Sequence, residues 1–590
     1  MIAIDPICGM PIDIETANFR AEIRGGAYYF CSEGHRRSFL EGRRIAYFSM
    51  EIGIRSDIPT YSGGLGVLAG DSVRSCADLR IPLVAVTLVS RRGYFRQQIT
   101  EWGDQIEHPD DWEPSMIMRL LPDTVTVRID GRDVLIKSWL YDIQSPTGGL
   151  VPVIFLDTDV PENDPEDRGI TSLLYGGDDR YRLKQEMVLG IGGVRMLNAL
   201  KFKINKYHMN EGHSGLLTLE LQKKNDMDAD RTRDLCIFTT HTPVEAAFDK
   251  FSYDDVKAIL GEEFSPEELK KYAGPDRLNM TLLALNLSKY VNGVTNAHME
   301  YSKNLFPGYH LRAITNGVHP YTWTCEPFRE LFDTHIPGWA NEPELLVRVD
   351  EISHQKIWNA HIEAKKLLID YINKSTEAGL DINALTLGFA RRATAYKRAA
   401  LIFSDMDRLR DINKRGRLQL VFAGKAHPRD ETGKGIIKEI HNFRSQLQGD
   451  VSVVYLENYN MELASRLTSG VDVWLNTPLP PNEASGTSGM KAAYNGVINF
   501  SVLDGWWIEG CIEGVTGWAI GPRPRELKVE KERRVRELKD LYNKLEYLVV
   551  PMFYNNRDAW TSMMRSSIGK IAYYFHSHRM MRRYATEAYL

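Results

Sequence analysis

The sequence predicts an α/β protein made of two large domains with a smaller unit in front. Three observations carry this reading. The chain has 590 residues, too many for one hydrophobic core to serve. From about residue 383 onward, short apolar runs alternate with amphipathic stretches, the pattern of a parallel sheet with helices on both faces. Glycine-rich loops follow β-like runs in both halves, at Tyr61-Ser-Gly-Gly-Leu-Gly-Val-Leu-Ala-Gly-Asp71 and Glu483-Ala-Ser-Gly-Thr-Ser-Gly-Met-Lys491. A hydrophobic fraction of 43% and a charged fraction of 26% are those of an ordinary soluble globular chain. The net charge of −5 offers no basic face for nucleic acid. No apolar run reaches the roughly 18 residues that span a bilayer, and the N-terminus lacks the basic start and apolar core of a secretory signal. The expectation is a cytoplasmic protein with no membrane partner.

The front unit covers residues 1–42. Asp5-Pro-Ile-Cys-Gly-Met10, then Ala27-Tyr-Tyr-Phe-Cys-Ser-Glu-Gly-His35 and Phe39, form a compact group that stops where the next motif begins. It resembles a YHS domain, a small module whose cysteines commonly hold a metal. The resemblance implies a three-ligand set of Cys8, Cys31 and His35, with zinc as the expected ion and a fourth position open. His35 stands where that family usually carries a second cysteine. The competing reading is a mini-domain with reduced thiols in its core. A chain below about 40 residues rarely folds without a staple or a host surface. The remaining cysteines, Cys76, Cys236, Cys325 and Cys511, are too scattered for a disulfide framework.

In the first half, residues 43–318, Arg44-Ile-Ala-Tyr-Phe-Ser-Met-Glu-Ile-Gly53 begins as a strand and leads to the loop at 61–71, which feeds a helix. Such a loop suits close approach of backbone to an anion, although an ordinary turn is the commoner meaning. Residues 81–89 read as a buried strand. Arg182-Leu-Lys-Gln-Glu186 opens a helix, and Tyr207-His-Met-Asn-Glu-Gly-His213 is a polar corner beside apolar runs. Phe238-Thr-Thr-His241 places a histidine at the carboxyl end of a strand, where ligands of open α/β sheets bind. Ile314-Thr-Asn-Gly-Val-His319 closes this half.

In the second half, residues 319–590, strands are expected at 385–390, 418–423, 451–455 and 471–475, with a helix over 435–447. Directly after the first of these strands comes Arg391-Arg-Ala-Thr-Ala-Tyr-Lys-Arg398, four cations among eight residues. They form a solvated face or, at a strand's carboxyl end, a phosphate contact. The loop 483–491 precedes a short helix, read as 491–496, at whose start converging N–H groups favour a phosphate. Lys491 beside it is either a counter-charge or the amine that forms a Schiff base with pyridoxal phosphate. The last run, 574–589, reads as a helix.

The nonapeptide ending in Lys491 resembles the pyridoxal-phosphate attachment sequence of the α-glucan phosphorylases, the glycogen, starch and maltodextrin enzymes. The resemblance recurs in chain order from about Arg44 to Gly496. It implies a GT-B architecture, two Rossmann-like domains facing a cleft, with the last helix crossing back onto the first. It implies reversible phosphorolysis of a terminal α-1,4-glucosidic bond by inorganic phosphate, giving glucose 1-phosphate with retention. By resemblance, Lys491 carries the cofactor, and Gly486, Thr487, Ser488, Arg391, Gly64 and Tyr459 surround it. Arg392 and Lys397 take the incoming phosphate. Glu483, His241 and Asn316 orient the glucosyl ring, with Gly63, Leu65 and Ser485 also on the substrate side. Arg391 replaces a lysine of the long animal and plant enzymes, Thr394 a histidine, and Asn460 an arginine.

Two other classes share some of these features. A cofactor-free GT-B transferase using a nucleotide sugar would have no reason to keep Lys491 after the phosphate loop. In a non-catalytic glucan-binding or metal-sensing protein, the front unit would be the active part. Glucan length, oligomeric state (a homo-oligomer included) and allosteric control stay open.

Overall fold

In the computed structural model, the described residues are 2–5, 10–23, 26–33, 36, 44–245, 248–261, 263–524, 526–527 and 529–590. They group into two units. One comprises residues 1–95, 109–314 and 580–590, the other residues 96–108 and 315–579.

The second unit holds a six-stranded sheet, all parallel among the described residues. Its strands run in the spatial order Ser452–Leu456, Leu418–Ala423, Leu385–Ala390, Val473–Asn476, Ile498–Val502, Gly517–Ile520. Numbered along the chain this is 3-2-1-4-5-6, the doubly wound order, and it reverses between Leu385–Ala390 and Val473–Asn476. Ligands of such sheets bind outside the strands' carboxyl ends at that reversal. Leu385-Thr-Leu-Gly-Phe-Ala390 is buried along its whole length, which is why it reads as an unbroken apolar run rather than an alternating one. The hairpin Arg96–Ile99 with Gln105–His108 belongs to this unit because its buried glutamines satisfy loop backbone. Gln97 Nε2 donates to Gly424 O at 2.8 Å, and Gln105 accepts from Ala426 N at 2.9 Å while donating to Ala426 O at 2.9 Å.

The first unit has a ten-stranded mixed sheet. Its parallel part runs Leu150–Asp157, Leu83–Leu88, Ile45–Phe48, Lys206–Asn210, Cys236–Thr239, Tyr290–Gly293, Arg312–Ala313, and it reverses between Ile45–Phe48 and Lys206–Asn210. The long strand Arg132–Gln144 pairs antiparallel with Leu150–Asp157. The chain's last residues bury Met580, Met581, Tyr584, Ala588 and Tyr589 in one core cluster with Ile45, Tyr47, Ile237, Tyr290 and Ile314. Asn316, expected to close the first half, belongs to the second unit. Arg579 donates to the carbonyls of Thr315 and Asn316 at 2.8 and 3.1 Å, and Val318 bridges to His576.

Of the front unit, the strands Ile2–Ile4 and Pro11–Asp13 pair antiparallel, as do Phe19–Ile23 and Gly26–Phe30. The second hairpin rests on the first unit's sheet. Ala21 and Phe30 pack with Leu150, and the Tyr28 hydroxyl donates to Asp142 at 2.7 Å. Burial and Asp142 together push that phenol up to about 12. Cys31 N donates to Asp5 Oδ2 at 2.8 Å. Cys8 and His35, and with them the expected metal set, lie outside the described residues.

A buried ionic triad ties the helix His354–Thr376 to the second sheet. Asp472 accepts from Lys365 Nζ at 2.6 Å, from His361 Nε2 at 2.8 Å and from Thr386 N at 2.8 Å. Burial works to raise the Asp472 pKa, and Lys365 with His361 outweighs it, so the carboxyl lies below its usual range. Its contribution to stability is therefore full above the unfolded value of about 3.9 and drains away as pH falls through the lower folded value. Asp472→Asn leaves Lys365 buried without a counter-charge and is expected to cost about 3 to 5 kcal/mol. Urea unfolding followed by tryptophan fluorescence measures this. A loss under about 1 kcal/mol would mean that the Asp472 carboxylate is not what ties the helix to the sheet.

Candidate active site

The turn after Leu385–Ala390 and the loop after Val473–Asn476 flank the reversal of the second sheet and are stitched together there. Leu479 N donates to Tyr396 O at 2.7 Å, and Thr477 Oγ1 donates to the carbonyls of Lys397 and Arg398 at 3.1 and 3.0 Å. Arg398 returns Nε to Thr477 O and Nη2 to Pro478 O, both at 2.8 Å, and pairs with the fully buried Glu537 at 2.6 Å.

This stitching brings Arg391, Lys397 and Glu483 together. Arg391 Nη2 lies 2.6 Å from Glu483 Oε2, and Lys397 Nζ donates to the same oxygen. Burial opposes charge on Glu483, yet Arg391 and Lys397 hold its carboxyl below the usual range. Lys397 goes the other way. Its burial and the repulsion of Arg391 outweigh Glu483 and bring it down to about 7. The Lys397 ammonium also lies 4.5 Å from the centroid of the Tyr396 ring. Arg392 is exposed on the same turn, with no ion-pair partner among the described residues.

Asp504 fixes Glu483 from behind. It accepts from Glu483 N at 2.9 Å and from Gly505 N at 3.0 Å, and burial pushes it up to about 7. Trp506 N donates to Ser485 O at 2.9 Å. Gly505, at φ +53, is required because a Cβ there would come within 2.3 Å of Ser485 O.

The helix that carries Lys491 spans Ser488–Ala493, so Lys491 sits mid-helix rather than at its start. Trp474 Nε1 holds the Ser488 hydroxyl at 3.0 Å. The Lys491 amine lies 3.7 Å from the centroid of the Trp323 ring, close enough for a cation–π contact. Asn495 secures this pair, donating to Trp323 O at 2.8 Å and Lys491 O at 3.1 Å and accepting from Cys325 N at 2.8 Å. Gly486, at φ +81, leaves a hollow in which a Cβ would come 3.2 Å from Glu483 and 3.4 Å from Arg391. In the two loops, Ser485 Oγ and Thr394 Oγ1 are buried with no hydrogen-bond partner among the described residues, as is Asn316 Oδ1 elsewhere in this unit. A phosphate-bearing group with a reactive carbonyl fits this donor set: buried cations, orphaned hydroxyls, a side-chain-free turn and an amine on an aromatic face. Tyr459 packs against the core cluster that contains Leu463, Leu467 and Ala492. Asn460 caps the helix Met461–Gly470 by accepting from Leu463 N at 2.9 Å.

The first unit keeps Gly63, Gly64, Leu65 and His241. In the glycine-rich loop, the N–H groups of Ser62 and Gly63 donate to Glu51 Oε2, at 2.5 and 3.2 Å. The Tyr175 hydroxyl donates to the same carboxylate at 2.8 Å. His241 is clamped twice, N to Glu211 Oε2 at 2.7 Å and ring Nε2 to Asn210 Oδ1 at 2.7 Å. Ser49 gives its hydroxyl hydrogen to Glu51 O at 2.7 Å and so can only accept from Asn210 Nδ2 at 3.1 Å; the Asn210 oxygen therefore faces the ring, and Nε2 of His241 carries the hydrogen. Burial takes this imidazole down to about 3 and the Glu211 carboxyl up. Glu211 sits at φ +72, in the left-handed region that costs a non-glycine residue energy.

Sequence reasoning assigned no role to Trp323, Tyr396, Asp504, Asn495 or Glu51. Their signal is tertiary. Trp323 follows Asn316 within the Thr-Asn-Gly-Val-His-Pro-Tyr-Thr-Trp stretch, and nothing local says that its ring meets Lys491.

A family model described as carbohydrate phosphorylase matches residues 262–517. The chain is 39% identical to a maltodextrin phosphorylase of Thermococcus litoralis, over 92% of this chain and 70% of that protein. It is 35% identical to a glycogen phosphorylase of Mycobacterium tuberculosis, with the same coverage. To a glycogen phosphorylase of Aquifex aeolicus it is 34% identical, over 92% of this chain and 86% of the relative. A chain with this doubly wound sheet and this reversal-point site, matched over such lengths, belongs to the carbohydrate phosphorylase family.

Glu483→Gln removes the main attraction that offsets burial and Arg391 at Lys397, leaving only the weaker pull of Asp504, so the lysine pKa should fall below about 7. Carbon NMR of ε-labelled lysine against pH reads it. A rise would mean that Glu483 is not the partner that keeps Lys397 charged.

Proposed function

We propose that this chain is an α-glucan phosphorylase, cleaving the terminal α-1,4-glucosidic bond of a glucan with inorganic phosphate to give glucose 1-phosphate with retained configuration. The observation that carries the reading is the convergence of Arg391 and Lys397 on one carboxylate at the reversal of the second sheet, with Lys491, eight residues along the same segment from Glu483, holding its amine on Trp323. Two cations there offer a phosphate its counter-charges once it displaces the Glu483 carboxylate from them.

Pyridoxal phosphate is the expected cofactor, with Lys491, Gly486, Thr487, Ser488, Arg391, Gly64 and Tyr459 as the residues that would hold it. When bound, it supplies a second phosphate as a proton source beside the substrate phosphate, whose second ionisation near pKa 6 suits general acid work. Lys397 and Arg392 bind the incoming phosphate and offset repulsion between anions. The substrate phosphate passes its proton to the glycosidic oxygen as the C1–O bond to the glucan breaks, and its own oxygen then bonds to C1 on the same face. Glu483, freed from its cations when phosphate takes them, orients the sugar with Asn316 and His241, and Gly63, Leu65 and Ser485 line the substrate side. A neutral His241 with its Nε2–H engaged by Asn210 presents a lone pair at Nδ1, an acceptor for a sugar hydroxyl. A nucleotide-sugar transferase would leave the Lys491–Trp323 pair without purpose.

Borohydride reduction of the protein purified with pyridoxal phosphate should fix the cofactor on Lys491, read by peptide mapping. A label on another lysine, or none, would refute the assignment. Lys397→Ala and Arg392→Ala should each lower phosphorolysis by about a hundredfold, on the order of 3 kcal/mol in the barrier, at unchanged cofactor content. Near-normal turnover in both variants would make these cations a solvated face.

A further inference from the structure

We propose that Tyr584 and Tyr589, close to the C-terminus, are positioning residues for His241, acting through a closed hydrogen-bond circuit with His208, Thr239 and Asn292. The five side chains lie in the first unit, each under a tenth exposed.

The direction of every bond in the circuit follows from one fixed point. Asn292 Nδ2 donates to Gly293 O at 3.1 Å, and a carbonyl can only accept, so the orientation of this amide is settled. Its second hydrogen goes to Tyr584 OH at 2.9 Å, and its Oδ1 must therefore accept the Thr239 hydroxyl hydrogen at 2.9 Å. Thr239 has no second hydrogen to give. Its oxygen accepts from Tyr584 OH at 3.1 Å and from His208 Nε2 at 2.8 Å. His208 is thus the Nε2–H tautomer, and its Nδ1 lone pair accepts from Tyr589 OH at 2.8 Å. The ring stays neutral, since burial takes it down to about 3. Tyr47, Tyr584 and Tyr589 surround it, with ring centroids at 5.0, 5.0 and 5.8 Å. A fourth link, Tyr290 OH to Glu587 at 3.0 Å, fastens the same terminal segment.

The circuit sits directly beneath the groups that clamp His241. Thr239 ends its strand two residues before His241, and its carbonyl accepts from Glu211 N at 2.9 Å. His208 lies two residues before Asn210 and three before Glu211, the partners of the His241 ring and backbone. Glu211 holds a left-handed conformation that persists only where its surroundings over-determine it. A circuit in which every side-chain donor is used, locking the two strand ends together, supplies that constraint. The kinetic consequence rests on the assignment of His241 to the glucosyl ring.

The test uses the full chain labelled with nitrogen-15 in histidine, with Tyr589→Phe beside it. In the wild type, His208 should show its proton on Nε2 and keep one unprotonated nitrogen from about pH 8 to pH 5. In Tyr589→Phe, the His241 ring signals should move, kcat/KM for glucan should fall about tenfold, and KM for phosphate should stay unchanged. A proton on Nδ1 of wild-type His208 overturns the circuit. Unmoved His241 signals, or equal loss on glucan and phosphate, overturn the positioning role. Should Tyr589→Phe fail to fold, Tyr584→Phe removes the other hydroxyl and must give the same split. If the wild type shows no phosphorolysis, the functional reading falls, and the ring signals of His208 and His241 alone uphold or overturn the proposal.

Discussion

The carboxylate of Glu483, shared between Arg391 and Lys397, is the constraint on which the second unit's chemistry depends. Two cations and a carboxylate buried together cost several kcal/mol of desolvation each, recovered only when the geometry is fixed. The doubly wound strand order puts Leu385–Ala390 beside Val473–Asn476, so the two loops that carry these charges start next to each other. Arg398, Thr477 and Glu537 then lock the loops, and Asp504 with Gly505 fixes Glu483 from the other side. None of these supporting groups need touch substrate. Their work is to hold a charged cluster at a separation that water and thermal motion would otherwise relax.

The first unit solves a comparable problem with neutral groups. Its sheet also reverses order, and the two strands at the reversal are followed by Glu51 and Glu211. Each carboxylate is occupied by backbone N–H groups of the loop beside it, Ser62 and Gly63 in one case and His241 and Gly212 in the other. The glycine-rich loop is thereby shaped by a side chain of the protein itself. Beneath this level, the hydrogen bonds among His208, Thr239 and Asn292 run to the last residues of the chain, so a segment remote in sequence braces the strand end that carries His241.

Much of the fold was legible because buried parallel strands are written as unbroken apolar runs. Leu385–Ala390 and Leu418–Ala423 fall where the apolar runs place them. The expected strand at 471–475 is found as Val473–Asn476; Asp472 just before it still bonds by its backbone to Thr386 O and Ile498 N while its side chain serves Lys365 and His361. The helix expected over 435–447 begins at Glu431, where Asp430 caps it by accepting from Gly433 N. Arg391, Lys397 and Glu483 were each legible as charges near a strand end, but their convergence on one oxygen was not, since it depends on strand order. Trp323 against Lys491 is a contact between segments far apart in sequence, and no local periodicity encodes it. The occupancy of the Ser62 and Gly63 donors by Glu51 was hidden for the same reason.

The coupling between Glu483 and Lys397 is the most direct test of this picture. Phosphorolysis rates of Glu483→Gln, Lys397→Met and the double variant, measured as glucose 1-phosphate released from a maltooligosaccharide, form a double-mutant cycle. If the two residues act as one charge cluster, the double variant should be about as slow as the slower single one. Losses that simply multiply would mean that the residues work independently and that their shared contact is incidental to catalysis.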